Sequence, residues 1–349
     1  MSINIDSFII NGQSRTFIIA ELSANHGHDI EIAKKTILAA KQSGADAIKV
    51  QTYTADTLTI DCDNEYFKLN SGTIWDGRTL YDLYSEAYTP WEWQKELMEY
   101  ANSIGLIFFS TPFDKTAVDF LEELNIPVYK VASFEIRDIP LIEYIASKGK
   151  PIIMSTGIAT LSDIEEALEA CNRMANSQII LLKCTSSYPA KSEEANLKTI
   201  PNMKETFGVE VGVSDHTLGI TVPVVSVALG ARVIEKHFIL DKSIGGPDSS
   251  FSLEPAEFKQ MVDAVREAEK SLGKVDYSMS ESKQNSRLLG RSLFAVKDII
   301  AGEKFTEENV KSIRPGYGLA PKYYEKIIGA SANSDIKKGT PLNWGVVSD

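Results

Sequence analysis

The chain has 349 residues, 43% of them hydrophobic, and a formal net charge of −12. This acidity argues against nucleic-acid binding but permits an anionic small substrate in a local basic pocket. No apolar run approaches the ~18 residues that would span a membrane, and the N-terminus lacks the basic start and apolar region of a signal peptide. Cys62, Cys171 and Cys184 are scattered without CxxC spacing, which indicates reduced thiols in the cytoplasm.

A predicted hairpin at residues 1–14, expected to act as a plug or lid, precedes an alternation of short apolar strands and helices. The predicted strands are Phe17–Glu21, Ala47–Gln51, Leu106–Ser110, Val128–Ala132, Pro151–Ser155, Ile179–Lys183, Val213–His216 and Val233–His237. The predicted helices are Glu31–Lys41, Pro90–Ser103, Asp114–Leu124, Ile139–Ser147, Leu161–Ala175, Glu193–Thr206, Thr217–Leu229 and Pro255–Leu272. Thr89 is expected to cap the Pro90 helix.

This alternation predicts a parallel sheet, and eight units predict a closed (β/α)8 TIM barrel. An open doubly wound sheet is the alternative, but no GxGxxG motif follows any strand. After Gly290 the sequence pattern changes to short β segments. The sequence of Asp298–Phe305 is repeated with variation at Asp335–Leu342. The expected domains are residues 1–272 for the barrel with its hairpin, 273–289 for a polar linker and 290–349 for a small β-rich domain.

Every predicted strand ends in polar residues, at the face where barrel enzymes carry their active sites. Two neighbouring strands end in His216 and His237, although the chain has only four histidines. A lone histidine is most often a satisfied core residue, but two at matched strand ends predict a metal site at the barrel mouth. With carboxylates nearby, such a pair suits Mn²⁺, Co²⁺ or Zn²⁺.

Two lysines, Lys49 and Lys130, lie inside apolar strands, where an unpaired charge would cost several kcal/mol. Either a bound anion or a carboxylate such as Glu21 or Glu135 must therefore compensate them. Hydroxyl and amide groups recur at the strand ends, as in Ser155-Thr156-Gly157. Lysines with such groups favour a ligand that carries a phosphate and a carboxylate.

The strand-end motifs resemble the sialic acid synthase family, which condenses phosphoenolpyruvate with an N-acetylated aminosugar to give a nonulosonic acid. The matching motifs are Ile19-Ala20-Glu21 with Asn25-His26; Lys49-Val50-Gln51; Ser110-Thr111-Pro112-Phe113; Tyr129-Lys130-Val131-Ala132-Ser133; Ser155-Thr156-Gly157; Ser214-Asp215-His216-Thr217; and Glu235-Lys236-His237-Phe238 with Gly246-Pro247-Asp248. The C-terminal part resembles the family's SAF domain (antifreeze-like, β-clip), including Arg314-Pro315-Gly316. The resemblance covers nearly the whole chain.

The resemblance implies a role for each residue at the barrel mouth. His216 and His237 are implied as catalytic metal ligands, with Mn²⁺ expected and Co²⁺ or Mg²⁺ as alternatives. Glu21 and Glu135 are implied as catalytic carboxylates that position or deprotonate water. The implied substrate contacts are Lys49, Thr111, Lys130, Ser133, Ser155, Ser186 and Ser214 for phosphoenolpyruvate, and Gln51, Tyr188, Asp248 and Arg314 for the sugar, with Phe113 as a further candidate. Ser186 stands where the family often has Asn.

In the family, the residue that corresponds to Arg314 comes from the SAF domain of the other subunit, which implies a domain-swapped homodimer. The loop at residues 73–93 is rich in aromatic residues and is similar to the pseudaminate branch rather than the N-acetylneuraminate branch. About half of its rings are expected to pack on the barrel from a helix at Leu80–Tyr88. The expected sugar is therefore 2,4-diacetamido-2,4,6-trideoxy-altrose, used for surface glycans or flagellin.

Other functions are compatible with parts of this pattern. Within the family, N-acetylneuraminate or legionaminate synthesis is the alternative. Outside it, a metal-dependent sugar isomerase or hydrolase would generally need four or more His or carboxylate ligands, whereas only two histidines align here. The third alternative is a carbohydrate-binding protein whose barrel is inert, and it would not explain why every predicted strand ends in polar residues.

Overall fold

The computed structural model describes residues 2–70, 72 and 74–348, so Thr73 of the aromatic loop lies outside the described residues. The chain forms two compact units, residues 1–273 and residues 274–349. Among the described residues, no helix is long and apolar enough to cross a membrane.

The first unit is the predicted TIM barrel. Strands β1 and β2 (Ile3–Ile5 and Phe8–Ile10) pair as the antiparallel hairpin. Eight parallel strands then close in the order β10-β3-β4-β5-β6-β7-β8-β9. They are β3 (Phe17–Glu21), β4 (Ala47–Thr52), β5 (Ile107–Pro112), β6 (Tyr129–Val131), β7 (Ile152–Ser155), β8 (Ile179–Cys184), β9 (Glu210–Asp215) and β10 (Val233–His237).

The helices between and after these strands follow the prediction with shifted ends. They are α1 (Ile30–Gln42), α2 (Ala55–Leu58), α3 (Leu80–Ala87), α4 (Trp91–Ser103), α5 (Lys115–Glu123), α6 (Ile139–Ala146), α7 (Leu161–Arg173), α8 (Thr199–Phe207), α9 (Thr221–Ala228) and α10 (Pro255–Leu272). The capping prediction for α4 was wrong. Pro90 is the N-cap residue, without a side-chain hydrogen bond, and the Thr89 hydroxyl lies 3.4 Å from the His26 ring instead.

The hairpin closes the amino-terminal end of the barrel. Ile3, Ile5 and Ile10 are fully buried and share one apolar cluster with Phe17 and Phe109 from the barrel strands. Burial of such side chains contributes roughly 1.5–3 kcal/mol each relative to exposure. The hairpin therefore fills this end of the barrel interior with apolar side chains.

The second unit is built from short strands around its own apolar core. Its elements are α11 (Glu281–Arg287), β11 (Ser292–Ala295), β12 (Val310–Ile313), α12 (Tyr324–Ile327), β13 (Ser331–Ala332) and β14 (Val347–Ser348). The two echoed segments pair with each other, because Ile299 and Ile336 exchange backbone hydrogen bonds of 2.8 Å. The stretch expected as a linker is exposed but contains helix α11.

Candidate active site

Four buried charged side chains meet at the centre of the barrel mouth: Glu21, Lys49, Lys130 and Glu235, here called the charge cluster. Lys49 Nζ lies 2.7 Å from Glu21 Oε2. Glu235 stands between the lysines, with its two carboxylate oxygens 3.9 Å from Lys49 Nζ and 3.9 Å from Lys130 Nζ. None of the four residues is more than 5% exposed. The cluster is balanced in charge, and both lysines face the barrel interior.

The charges of the cluster set one another's protonation. Burial raises the pKa of Glu21 despite the opposing effect of Lys49. Burial also favours a neutral Glu235, but the two lysines outweigh it and lower the pKa of that carboxyl. Burial dominates at Lys130 and lowers its pKa, whereas Glu21 and Glu235 overcome burial at Lys49 and raise its pKa. Lys49 and Glu235 therefore form the firmly charged part of the cluster.

Hydroxyl groups surround the lysines. Lys49 donates to Thr111 Oγ1 at 3.1 Å, and Lys130 donates to Ser155 Oγ at 2.7 Å. Ser214 donates to Glu235 at 3.1 Å. These hydroxyls come from the ends of β5, β7 and β9, so the barrel's closure assembles them around one small volume. Ammonium and hydroxyl donors converging in this way are suited to a multivalent anion.

Gly157 allows a second group of polar side chains to converge beside the lysines. Its backbone N–H donates to Ser133 Oγ at 3.1 Å. A β-carbon at this position would lie 2.1 Å from Ser186 Oγ, 2.8 Å from Ser133 Oγ and 3.2 Å from Cys184 Sγ. Real Cβ contacts do not come this close, so a side chain at this position would force Ser186 and Ser133 to move. The glycine thus makes room for Ser133, Ser186 and Cys184 to line one cradle.

The two predicted histidines lie side by side, with ring centroids 5.3 Å apart. His216 Nδ1 lies 3.0 Å from the Thr185 carbonyl oxygen, which can only accept, so Nδ1 carries the proton and Nε2 remains available. His237 Nδ1 is buried without a hydrogen-bond partner, 3.8 Å from Asp248 Oδ2. Burial, with His216 and Lys49 nearby, holds the pKa of His237 well below its usual range.

The histidine pair fits the donor set of a divalent metal with open coordination positions. Both rings present a nitrogen that can act as a ligand, and the buried His237 nitrogen lacks any other partner. Asp248 Oδ2, which accepts from the Ser23 hydroxyl at 2.6 Å, lies 3.8 Å from this same His237 nitrogen, so a carboxylate stands beside the candidate metal position. Within the described part of the chain, no three His, Cys, Asp or Glu residues are grouped to hold a metal by themselves.

Glu135 is a separate carboxyl group at the same face, after β6. Its Oε2 is buried without a hydrogen-bond partner. Burial raises the pKa of Glu135 to about 7, although Lys130 opposes the shift. A carboxyl group that titrates near neutral pH can both give and accept a proton under physiological conditions.

Aromatic rings form one wall of the mouth. The Tyr188 ring lies 4.4 Å from the His216 ring and 5.4 Å from the Trp75 ring, measured between centroids. The Trp75 indole N–H donates to the Pro247 carbonyl at 3.0 Å, which ties the 74–79 loop to the segment before Asp248. Part of the aromatic loop therefore reaches the mouth.

Two further rings of the aromatic stretch, Trp91 and Trp93, lie on α4. Trp91 packs on Phe120, and Trp93 contacts His26 edge-on. Phe113 packs against Tyr53, with 5.1 Å between ring centroids.

The structure brings most of the predicted site residues together and adds others. Gln51 donates to Glu21 and to Ser23, both at 2.9 Å. Arg314 belongs to the second unit, where it follows β12 and is exposed. Sequence reasoning gave Glu235 and Cys184 no role. The two-residue period of a strand puts Glu235 on the same face as His237 and could have identified it.

No comparable feature of the sequence identified Cys184 as a site residue. Burial raises the pKa of its thiol, but His216, whose Nδ1 is 3.8 Å from the sulfur, and other neighbours lower it to about 7. Its place beside His216 follows from the neighbouring ends of β8 and β9.

The fold and this site define a (β/α)8 barrel with a buried cluster of charges at its mouth and two neighbouring histidines at its edge. Residues 36–277 match the NeuB family, and residues 290–347 match the SAF domain. The chain belongs to the NeuB family, which confirms the resemblance found in the sequence.

Three known proteins illustrate the relationship. The pseudaminic acid synthase of Campylobacter jejuni subsp. jejuni serotype O:2 is 51% identical over 96% of this chain and 97% of its own. The N,N'-diacetyllegionaminic acid synthase of Legionella pneumophila is 39% identical over 95% of both chains. The crystal structure of an N-acetylneuraminic acid synthetase from Leptospira borgpetersenii serovar Hardjo-bovis matches 82% of this chain and 95% of its own, with 33% identity and a TM-score of 0.72.

The raised pKa of Glu135 predicts a pH-dependent loss of stability. Since its pKa is about 7 in the folded protein and about 4.5 ordinarily, the folded protein holds a proton that the unfolded chain releases. The contribution of Glu135 to the free energy of unfolding is therefore fully present below pH 4.5, and it is lost as the pH rises through 7. Relative to wild type, Glu135→Gln should gain about 2.5 kcal/mol of unfolding free energy between pH 5 and pH 8.

Urea unfolding of both proteins at the two pH values measures this difference. Glu165→Gln on the exposed face of α7 is the matched control and should show no such gain. Equal pH dependence in both variants would contradict the assignment.

Proposed function

We propose that this protein is a pseudaminic acid synthase, which condenses phosphoenolpyruvate with 2,4-diacetamido-2,4,6-trideoxy-altrose and releases phosphate. The observation that carries the proposal is the charge cluster with its hydroxyl shell, found in a NeuB-family chain that is 51% identical to a relative named for this activity. The legionaminic acid synthase relative is 39% identical, so the pseudaminate assignment is favoured over the legionaminate alternative.

Phosphoenolpyruvate is assigned to the two lysines and the cradle. The ammonium groups of Lys49 and Lys130 and the hydroxyls of Thr111, Ser155 and Ser214 supply donors for one end of the ligand. The cradle formed by Ser133, Ser186 and the space at Gly157 supplies a second polar pocket close by. Two adjacent donor groups match a ligand with two anionic ends, a phosphate and a carboxylate.

A divalent metal is assigned to His216 and His237, with Mn²⁺ expected and Co²⁺ or Mg²⁺ as alternatives. Metal dependence is a property of this synthase family. When bound, such an ion supplies Lewis-acid polarisation of the sugar's C1 aldehyde. The Thr185 carbonyl holds the proton on His216 Nδ1, which leaves Nε2 for the metal, and His237 Nδ1 has no hydrogen-bond partner that a metal would have to displace.

The reaction forms a C–C bond and, at C2, a C–O bond to water, and it breaks the C2–O bond to phosphate. Of the two protons of the water, one balances the proton taken up by the aldehyde oxygen and the other leaves with phosphate. C3 of phosphoenolpyruvate attacks the aldehyde carbon of the open-chain sugar, whose oxygen takes up a proton. Water adds at C2, and phosphate leaves from the resulting tetrahedral intermediate. Glu135, with its pKa near 7, is assigned to deprotonate that water, while Glu21 positions the reacting groups with Gln51.

The sugar is assigned to the wall of Trp75 and Tyr188, with Gln51 and Asp248 as polar contacts and Phe113 as a further candidate. The proposed substrate has a C6 methyl and an additional acetyl methyl where N-acetylmannosamine has hydroxyls. An aromatic wall favours those methyl groups by roughly 0.8 kcal/mol for each one buried.

Two further features complete the proposal. Arg314 is assigned to contact the sugar across a domain-swapped homodimer, as the family resemblance implies. A cytoplasmic location is supported by three cysteines that are all free and none of which pairs with another.

The direct test is phosphate release from phosphoenolpyruvate, which should require both the sugar and a divalent metal. Excess chelator or His216→Ala should abolish release, and Mn²⁺ should restore the chelated enzyme. The 6-deoxy-altrose substrate should give a kcat/KM roughly 10–200-fold above that for N-acetylmannosamine, the discrimination that a methyl-binding pocket provides. Equal values for the two sugars would refute the pseudaminate assignment, and full activity in chelator would refute the metal.

The cradle can be tested at its glycine. Gly157→Ala places a methyl group against Ser186 and Ser133, so kcat/KM for phosphoenolpyruvate should fall by about 100-fold, the effect of displacing a reactant by about 1 Å. Gly12→Ala is the matched control, because the nearest atom to its added carbon is Lys204 Nζ at 3.9 Å. Steady-state kinetics decide, and an unchanged kcat/KM in folded Gly157→Ala would exclude the cradle from substrate binding.

The subunit exchange of Arg314 can be tested by complementation. A heterodimer of Arg314→Ala and His216→Ala subunits would contain one intact site if the arginine acts across the dimer. It should recover about half of the wild-type activity, whereas each homodimer is inactive. Purified heterodimers with differently tagged subunits provide the measurement. No recovery in such heterodimers would place Arg314 in the site of its own subunit.

A further inference from the structure

A buried ion pair lies behind the barrel wall, next to both histidines. Asp215 and Lys236 are register partners on β9 and β10, and Lys236 Nζ lies 2.5 Å from Asp215 Oδ2. Their side chains are 1% and 0% exposed. Side chains alternate along a strand, so Lys236 points away from the interior face that carries Glu235 and His237. The pair therefore takes no direct part in the mouth.

The same lysine also holds the turn that carries His216. Asp215 Oδ1 accepts hydrogen bonds from the Thr217 amide at 2.9 Å and from the Thr217 hydroxyl at 2.8 Å. Lys236 Nζ donates additionally to the Thr217 carbonyl. His216 is the central residue of this turn, and Lys236 directly precedes His237. One ammonium group thus connects the backbone on both sides of His216 to the backbone at His237.

Few hydrogen bonds hold the histidine rings themselves. His216 is fixed by its hydrogen bond to Thr185, whereas His237 Nδ1 has no hydrogen-bond partner. Tyr188 packs on His216 and Phe251 packs on His237, and beyond this packing the separation of the two rings depends on the backbone positions at the ends of β9 and β10. A buried ion pair is seldom the most stabilising choice for a core, because apolar residues of similar volume often do as well. The position of the Asp215–Lys236 ion pair beside both rings indicates a role other than stabilising the core.

We infer that Asp215, Thr217 and Lys236, here called the lysine lock, are positioning residues that set the spacing of His216 and His237 for metal binding. The inference rests on the proposed metal pair. The lock touches neither substrate nor metal. Its loss should weaken metal binding by roughly 10–100-fold, as loss of outer-shell partners does at other sites.

The test compares two lysine variants of the full-length protein. Lys236→Met removes the lock. Lys204→Met is the matched control, because Lys204 pairs with Glu210 at 2.9 Å at the opposite end of the same strand β9. Mn²⁺ affinity is measured by electron paramagnetic resonance after chelation and dialysis. Lys236→Met should bind Mn²⁺ roughly 10–100-fold more weakly, while Lys204→Met should match wild type.

A second measurement does not depend on the metal. The chain has four histidines, so nitrogen NMR of the metal-free protein resolves a small set of imidazole signals. The His216 signals should shift in Lys236→Met and stay in place in Lys204→Met. Thr217→Val, which removes one hydroxyl donor, should shift them in the same direction by less, and this variant decides if Lys236→Met does not fold.

Unchanged His216 signals, or Mn²⁺ affinity within twofold of wild type in a folded lock variant, would overturn the inference. If wild-type protein bound no Mn²⁺, the proposed metal would fail, and the imidazole signals would still decide whether the lock positions His216. The two failures are therefore distinguishable.

Discussion

The interaction on which the rest of the site depends is the charge cluster at the centre of the barrel. Removing one partner of a buried ion pair leaves an uncompensated charge, which costs about 3–5 kcal/mol. Glu235 is placed between Lys49 and Lys130, at 3.9 Å from each, and together with Glu21, 2.7 Å from Lys49, it balances the charge of the two lysines. Glu235 lies on β10, the strand that closes the barrel against β3. The charge cluster is therefore complete only in the closed barrel.

Apolar, charged and aromatic side chains occupy different levels along the barrel axis. The hairpin and the first residues of the strands fill one end with hydrocarbon, the cluster occupies the middle, and the histidines and aromatic rings stand at the other end. The apolar plug excludes water from below. This keeps the local dielectric low and strengthens each charge interaction at the mouth. The strand ends then differ only in which polar group they contribute, which is how a barrel supports a particular reaction.

The sequence was sufficient for the fold because the information is local. The alternation of strands and helices, the hairpin and the polar strand ends all follow from residue spacing. The start of α9 was missed, since Asp215 and Thr217 hydrogen bond to each other and keep the chain in a turn until Thr221. The helical prediction at Glu193–Thr206 likewise divides into a short 3-10 turn and α8, which begins at Thr199.

The contacts that spacing could not predict join distant parts of the chain. Asp248 meets Ser23, and the Trp75 indole meets the Pro247 carbonyl, across more than 170 residues in both cases. Such pairs depend on how loops of different barrel units lie over the same mouth. Strand periodicity does place Glu235 beside His237, so that residue could have been found from the sequence. The fine arrangement of the mouth required the structure, whereas its inventory of residue types did not.

The central claim is that the charge cluster is the seat of phosphoenolpyruvate, and calorimetric titration of that ligand without sugar tests it most directly. The pair of variants is Lys130→Met and the charge-balanced double variant Lys130→Met with Glu235→Gln. Losing a hydrogen bond to a charged group costs about 1.5–3 kcal/mol, so affinity should fall by about tenfold or more in both. The double variant should be the more stable of the two because it contains no uncompensated carboxylate. Wild-type affinity for phosphoenolpyruvate in the folded double variant would contradict the claim.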